Sequence, residues 1–368
     1  MRHVLFTTAS TLALLANAGH AGNLDTNQTP IDIIFETGNY AELSYARVAP
    51  SVSGRDNLGN PISNVANDFS LLGSGIKFQL TDRLSMALIH DQPYGVDILY
   101  GGSPATTLLG GTLADADTNA LTMLVRYDVA DGIALYGGPR VVRAEGHVRL
   151  SGLAYGPLNG YDVKFGADQA VGYVLGAAYE RPEIAFRAAL TYHSEVELDL
   201  PSLETFPGGA PVQTGDTVSK LPQSIKLQVQ SGIAKDTLVF GSIRWSEHSV
   251  FTLDPPSAAP NLTELDDAWT YEVGVGRRFS DKLSGKLTYT HEDETGNILV
   301  SPLAPTKGRQ SVALGAEYQL TDTVSLSGGV RYTWIGDSRP ETGTPDTARA
   351  FFSDNDAVSV GMKIGVTF

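Results

Sequence analysis

The residues with chemistry to offer are scattered charges rather than a recognisable reaction centre. No G-x-S-x-G occurs, and on a strand His193 and Ser194 would point to opposite faces, so they cannot serve each other as base and nucleophile. Cysteine is absent, which removes thiol chemistry and disulfides. The run His291-Glu292-Asp293-Glu294 offers oxygen ligands for calcium, yet a solvated strand end explains it as well. No catalytic residue, metal site, nucleotide site or cofactor is therefore expected. What remains is a set of cations within apolar segments: Arg140, Arg143, Arg187, Lys226, Lys286 and Arg331, with Glu42, Glu272 and Glu317 in comparable positions. Such cations either hold a carboxylate ligand in an apolar pocket or form cross-strand ion pairs, because an unpaired buried charge is costly. The alternation slips at Val141-Val142, and a bulge there would turn both Arg140 and Arg143 inward, making these two the candidate head-group ligands.

The elements that must carry these residues are strands. The final segment alternates strictly: Val358, Val360, Met362, Ile364, Val366 and Phe368 are separated by Ser359, Gly361, Lys363, Gly365 and Thr367. A strand of about 9–11 residues with one apolar face is what crosses a membrane when tilted. A soluble sandwich would also bury one face, but it leaves inward charges such as Arg187, Lys226, Glu272 and Arg331 unexplained, whereas a polar lumen accounts for them. The same pattern puts Phe186, Leu190 and Tyr192 against Arg187, Thr191 and His193, and Trp269, Tyr271 and Val273 against Thr270, Glu272 and Gly274.

A turn formula recurs at Gln79-Leu80-Thr81-Asp82, Gln319-Leu320-Thr321-Asp322 and Phe279-Ser280-Asp281, with looser copies near residues 130, 182 and 235. Between these six turns lie seven longer polar stretches, roughly 53–66, 93–117, 146–168, 199–219, 254–267, 292–308 and 336–355. Short turns on one side and long loops on the other are the asymmetry of an outer-membrane barrel, and together they join fourteen strands. The expected fold is thus all-β, a transmembrane antiparallel barrel over 39–368.

At the other end, Arg2 and His3 precede the apolar run Val4 to Ala16 and then small residues suited to cleavage after Ala18 or Ala21. This reads as a secretory signal over 1–21, with a short N-terminal segment over 22–38 before the barrel. The net charge of −15, without a basic stripe, argues against nucleic-acid binding.

The terminal Phe368, closing an alternating strand, resembles the assembly signal of bacterial outer-membrane barrels, which implies the barrel-assembly machinery as a partner and outer-membrane lipid as surroundings. More broadly, the strand count, the segment Leu190-Thr191-Tyr192-His193-Ser194-Glu195-Val196-Glu197-Leu198, the Lys220-Leu221-Pro222 that follows, and the aromatic end resemble the long-chain fatty acid transporter family, the FadL/TodX type. That resemblance implies a monomeric barrel plugged by an N-terminal hatch, which captures hydrophobic small molecules or fatty acids outside and releases them sideways into the membrane. Here the segment is short and lacks the family's Asn-Pro-Ala signature, so Ile31, Ile33, Ile34 and Phe35 are read as a reduced hatch.

In the family an inward kink of the third strand forms the lateral exit. The matching stretch is Asp91-Gln92-Pro93-Tyr94-Gly95, where proline removes a ladder donor and glycine weakens the strand. Gln92, Pro93, Tyr94 and Gly95 are thus the candidate opening, the alternative being that Pro93 simply begins a loop. The family builds its capture groove from the third and fourth loops, and here Leu153, Tyr155, Leu158, Phe165, Leu203 and Phe206 are apolar residues in those loops that either bind ligand or pack loop on loop. Arg143 lies where the family carries a comparable basic residue. Two other functions fit the same barrel: uptake of small aromatic hydrocarbons, which needs no lumen cation, and a passive porin for polar solutes, which needs an open water channel.

Overall fold

A computed structural model describes residues 25, 26, 30–257, 261–343 and 345–368. The signal segment lies outside the described residues. Fourteen antiparallel strands close into a barrel. In chain order they are β1 (Tyr40–Ser51), β2 (Phe69–Gln79), β3 (Leu84–Asp91 and Gly95–Leu99), β4 (Leu113–Ala130) and β5 (Ile133–Leu150). Then come β6 (Tyr161–Arg181), β7 (Phe186–His193 and Val196–Thr205), β8 (Val212–Leu221 and Ser224–Ala234), β9 (Thr237–Ser246) and β10 (Ala268–Arg278). The last four are β11 (Leu283–Glu294), β12 (Lys307–Gln319), β13 (Val324–Gly336) and β14 (Asn355–Thr367). Closure is made by β1 on β14, from Tyr40 opposite Thr367 to Ser51 opposite Asp356.

Side-chain parity follows the polar-lumen pattern. Leu190, Leu227, Trp269, Val273, Leu326 and Val330 are exposed on the outside, while Arg187, Thr191, Thr270, Ser327 and Arg331 are buried inside. An outward apolar band with aromatic margins is what a bilayer stabilises, because every strand amide is paired within the wall and only hydrocarbon meets lipid. At the margin bearing the short turns, Phe368 packs edge-on against Phe78 with ring centroids 6.2 Å apart.

The recurring turn has a definite mechanism. Thr81 Oγ1 accepts from the Arg83 and Leu84 amides at 3.2 and 3.0 Å, Ser280 Oγ from Lys282 and Leu283 at 3.3 and 3.1 Å, and Thr321 Oγ1 from Thr323 and Val324 at 3.3 and 3.1 Å. A hydroxyl two residues upstream thus supplies the acceptors that the reversing backbone lacks. The atom that repeats in all three turns is the Ser or Thr oxygen.

The opposite ends differ from expectation. β4, β5 and β6 run 18, 18 and 21 residues, so much of the stretches 93–117 and 146–168 extends the wall beyond the membrane instead of forming loops. Inside, the short N-terminal segment forms a 3-10 turn, Asp32–Phe35, with Ile31, Ile33 and Ile34 buried against Ala87, Ile89, Leu124, Tyr136, Val174 and Ala189. Phe35 lies under the Arg187 guanidinium at 4.2 Å and meets Tyr136 edge-on at 5.5 Å. Lys77 Nζ fastens the exit of this segment, donating to the Glu36 and Gly38 carbonyls at 2.7 and 3.0 Å. A second apolar cluster fills the other half of the barrel beneath the long loops.

Candidate functional site

The site begins where β3 breaks. Asp91 faces Ala120 of β4 and Gly95 faces Asp117, so β3 spends one more residue than β4 over the same interval. Pro93 has no amide to donate, and the extra residue bulges the strand. On its other side β3 pairs with β2 only from His90 opposite Ser74 downward, leaving Phe69 to Gly73 of β2 without β3 partners. Side chains and the N-terminal segment cover part of this seam. The Leu72 amide donates to Gln92 Oε1 at 2.9 Å. Thr26 donates its amide to the Pro93 carbonyl at 2.9 Å and its hydroxyl to the Gln92 carbonyl at 2.6 Å, and Asp25 forms a bridge to Tyr94.

Beside this gap is a cavity of 280 Å³, bordered by Thr26, Phe69, Leu71, Gln92 and Asp97. It shares Tyr94, Gly95, Val96, Asp115, Ala116 and Thr118 with an apolar pocket of 70 Å³ inside the barrel. Phe165, Leu198, Leu200, Leu221, Phe251 and Leu303 complete the apolar walls of that pocket, and among the described residues no Lys or Arg lines it. The inner pocket and the wall gap therefore share one partition, built around Tyr94. Tyr94 is held at both ends: its backbone amide donates to Thr118 Oγ1 at 2.9 Å, and its hydroxyl donates across the lumen to the Pro222 carbonyl at 3.3 Å.

Asp25 is clamped from β9 and the loop after it. Arg244 pairs with its carboxylate through both terminal nitrogens, and His248 Nε2 lies 3.3 Å from Asp25 Oδ2. All three are buried. Burial alone would push the Asp25 carboxyl upward, but Arg244 and His248 outweigh it and hold the group well below the usual carboxylate range. The N-terminal segment is thus pinned by charge at the point where its backbone lies along the β3 break. The sequence reading missed this clamp; the signal available was Arg244, an inward cation by the same parity rule.

The proposed site residues separate. Gln92, Pro93, Tyr94 and Gly95 all lie at the gap. Arg140 is buried in the lumen, close enough to Tyr94 to act on its hydroxyl. Arg143 is a correction: its side chain is 56% exposed on the outside of the barrel and pairs with Glu145 at 3.2 Å. No bulge forms at Val141-Val142, since β5 keeps register with β4 from Asn119–Arg143 through Thr122–Arg140, and two residues an odd number apart on a regular strand face opposite sides. Phe165 lines the apolar pocket. Tyr155 and Leu158 instead border a separate 320 Å³ cavity between loops, with Leu262, Glu264 and Glu341. Phe206 packs on Tyr161 at 5.2 Å, Leu153 is exposed and Leu203 half-buried, and none of these three lines either pocket at the gap. Ile31, Ile33, Ile34 and Phe35 form the apolar core of the N-terminal segment inside the barrel.

Leu198 and Leu200, which sequence parity with Arg187 and His193 would have sent outward, face the pocket because β7 breaks at Ser194-Glu195 and changes phase. For the same reason Glu195 lies outside, bonded by Lys220 at 2.9 Å.

Comparison with known proteins bears on this arrangement. The fold matches a Pseudomonas aeruginosa FadL homologue with a TM-score of 0.74 and 15% identity, over 97% of this chain and 98% of that one. It also matches the Ralstonia pickettii toluene transporter TbuX (TM-score 0.67, 12% identity, 97% of both chains) and the P. putida toluene transporter TodX (0.66, 15%, 96% of this chain and 99% of that). No curated protein sequence matches. The family model described as outer membrane protein transport protein (OMPP1/FadL/TodX) matches residues 44–368. With that match spanning nearly the whole barrel, the chain belongs to the OMPP1/FadL/TodX family of outer-membrane transport proteins.

Proposed function

We propose that this transporter of hydrophobic compounds takes up long-chain fatty acids, holding the chain in the apolar pocket and releasing it between β2 and β3. The observation that carries the reading is the shared partition: six residues line both the pocket and the gap cavity. A hydrophobic ligand moving from one to the other has only to displace Tyr94 and the Asp25–Thr26 strap, and stays out of water on the way. The gap opens above outward-facing Leu88 of β3 and next to outward-facing Leu72 of β2, at the edge of the apolar band. In this reading the concentration difference is the driving force. Arg140, beneath the partition, is the cation assigned to the carboxylate; Arg143, on the outer surface, has no such role.

A second reading has its own support. Among the described residues the pocket lining holds no Lys or Arg, which suits a neutral aromatic hydrocarbon better than an acid. Uptake of labelled oleate and labelled toluene by cells lacking their own transporters separates the two. If a fatty acid is the ligand, Arg140→Gln weakens oleate uptake by roughly 10–100-fold, the value of one charge-assisted bond, and leaves toluene entry unchanged. Toluene uptake with no oleate uptake by the wild-type protein would overturn the fatty-acid reading.

A further inference from the structure

The lip of the wall gap is acidic. Asp97 of β3 stands directly opposite Asp115 of β4, Gly95 stands opposite Asp117, and Asp117 in turn stands opposite Glu145 of β5. All four carboxylates are exposed on the outer face of strands that extend beyond the membrane. Like charges that face each other across a ladder weaken a sheet, so strand pairing does not account for Asp97 and Asp115.

Three of these residues, Asp97, Asp115 and Asp117, border the 280 Å³ gap cavity, and among the described residues no Lys, Arg or His borders it. The other polar side chains of its lining are neutral: Thr26, Asn67, Ser70, Gln92 and Thr118. Neighbouring cations are committed to other acids. Arg47 pairs with Asp68 at 2.8 Å, Arg143 with Glu145 at 3.2 Å, and His147 with Asp162 at 2.9 Å. Asp115 accordingly feels three acids, Asp117, Asp97 and Glu145, against one imidazole, His147. Asp97 Oδ1 accepts from the Asn67 side-chain amide at 2.7 Å, a neutral donor that leaves the negative charge in place.

A cleft lined by charges of one sign repels ions of that sign and admits the opposite one. Two or three unit charges about 6–8 Å from a passing anion together disfavour it about tenfold in water, and more strongly where hydrocarbon replaces water. We propose that Asp97, Asp115 and Asp117 set the charge selectivity of the opening, which passes hydrophobic compounds in uncharged or cationic form and holds back organic anions. The inference rests on the gap being the exit. A fatty acid held as its carboxylate by Arg140 then crosses the lip as the neutral acid, having taken a proton from water. A neutral aromatic hydrocarbon meets no barrier of this kind.

Uptake of labelled dodecanol, dodecanoate and dodecylamine by cells lacking their own transporters tests this, with heat-modifiable migration as the check on folding. The three probes share one chain and differ in charge. The triple variant Asp97→Asn, Asp115→Asn, Asp117→Asn should raise the ratio of dodecanoate to dodecanol uptake about tenfold and lower the ratio of dodecylamine to dodecanol uptake. Added salt should raise the first ratio in the wild type and leave it unmoved in the triple variant, because exposed charges are screened over about 8–10 Å at physiological ionic strength. If the triple variant does not assemble, Asp115→Asn and Asp117→Asn singly carry the test, each with about a twofold change in the first ratio. Ratios that these substitutions leave unmoved overturn the proposal. Rebuilding residues 92–95 as regular strand separates that result from failure of the exit reading. Dodecanol uptake that survives the rebuilding sinks the exit, whereas uptake lost there with ratios unmoved in the Asn variants sinks the charge selectivity alone.

Discussion

The two sides of the barrel wall are built differently. From β9 to β14 each strand is one continuous segment, and the ladder from β9 to β10 runs unbroken from Thr237–Arg277 to Ser246–Ala268. From β2 to β8 the wall is interrupted: β3 breaks at 92–94, β7 at Ser194-Glu195 and β8 at Pro222-Gln223. The β6–β7 ladder also lapses between Val174–His193 and Phe165–Ser202. Prolines separate the two sides: Pro93, Pro201 and Pro222 lie at or beside the interruptions, and the six strands β9 to β14 contain none. Each break turns or displaces side chains toward one place, and the apolar pocket draws on Tyr94, Leu198 and Leu221 from the three broken strands. The continuous side instead supplies the polar lumen and the clamp on the N-terminal segment. In a membrane a missing ladder bond is expensive unless another group substitutes for it, so the breaks persist only where Gln92, Thr26, Thr118 and Ser194 provide partners.

The strongest way to break this contrast is to make the interrupted side continuous. Replacing Gln92 to Gly95 by three residues of regular alternating sequence should abolish uptake of hydrophobic compounds in a barrel that still assembles. Retained uptake would show that the gap is not the exit.

Next in size is the clamp that joins the two sides. Asp25→Ala leaves Arg244 buried without its anion, a loss of roughly 3–5 kcal/mol. The N-terminal strap should then leave the gap, read as faster proteolysis within residues 22–30 and faster uptake. Asp25→Asn should give a smaller effect in the same direction. Unchanged proteolysis in the alanine variant would mean that backbone contacts alone hold the strap.

A smaller effect is expected on the continuous side. Tyr332 donates to Asp356 at 2.6 Å on the outer surface of β13 and β14. Tyr332→Phe should cost about 0.5–1 kcal/mol or less in resistance to urea and leave uptake unaltered. A change in uptake would show that the two sides are mechanically coupled.

The smallest concerns the loops above. Burial, and then Asp346 and Glu264, push the Glu341 carboxyl up to about 7 from 4.5. An acid that holds its proton more tightly when folded favours the packed loop at low pH and loses that advantage as pH rises from about 4.5 to about 7. Hydrogen exchange in residues 339–348 should therefore quicken between pH 5 and 8, after correction for intrinsic rates, and Glu341→Gln should remove the change.

Much of this was legible in the residues. Period-two alternation fixes which face of a strand meets lipid, so the barrel, its strand number and the inward placement of Arg187, Glu272 and Arg331 follow from local pattern and turn chemistry. Pro93 and Gly95 marked the break in β3 for the same reason, since each weakens a strand wherever it stands. Arg140 and Arg143 show where local pattern fails: whether a bulge forms between them depends on the register that the neighbouring strands impose, and β4 and β6 hold β5 regular there. The phase change at Ser194-Glu195, the partition shared through Tyr94, and the meeting of Asp25 with Arg244 and His248 were likewise decided only by tertiary structure. These contacts join segments as much as 219 residues apart, and a sequence carries each partner's chemistry without its position around the closed wall.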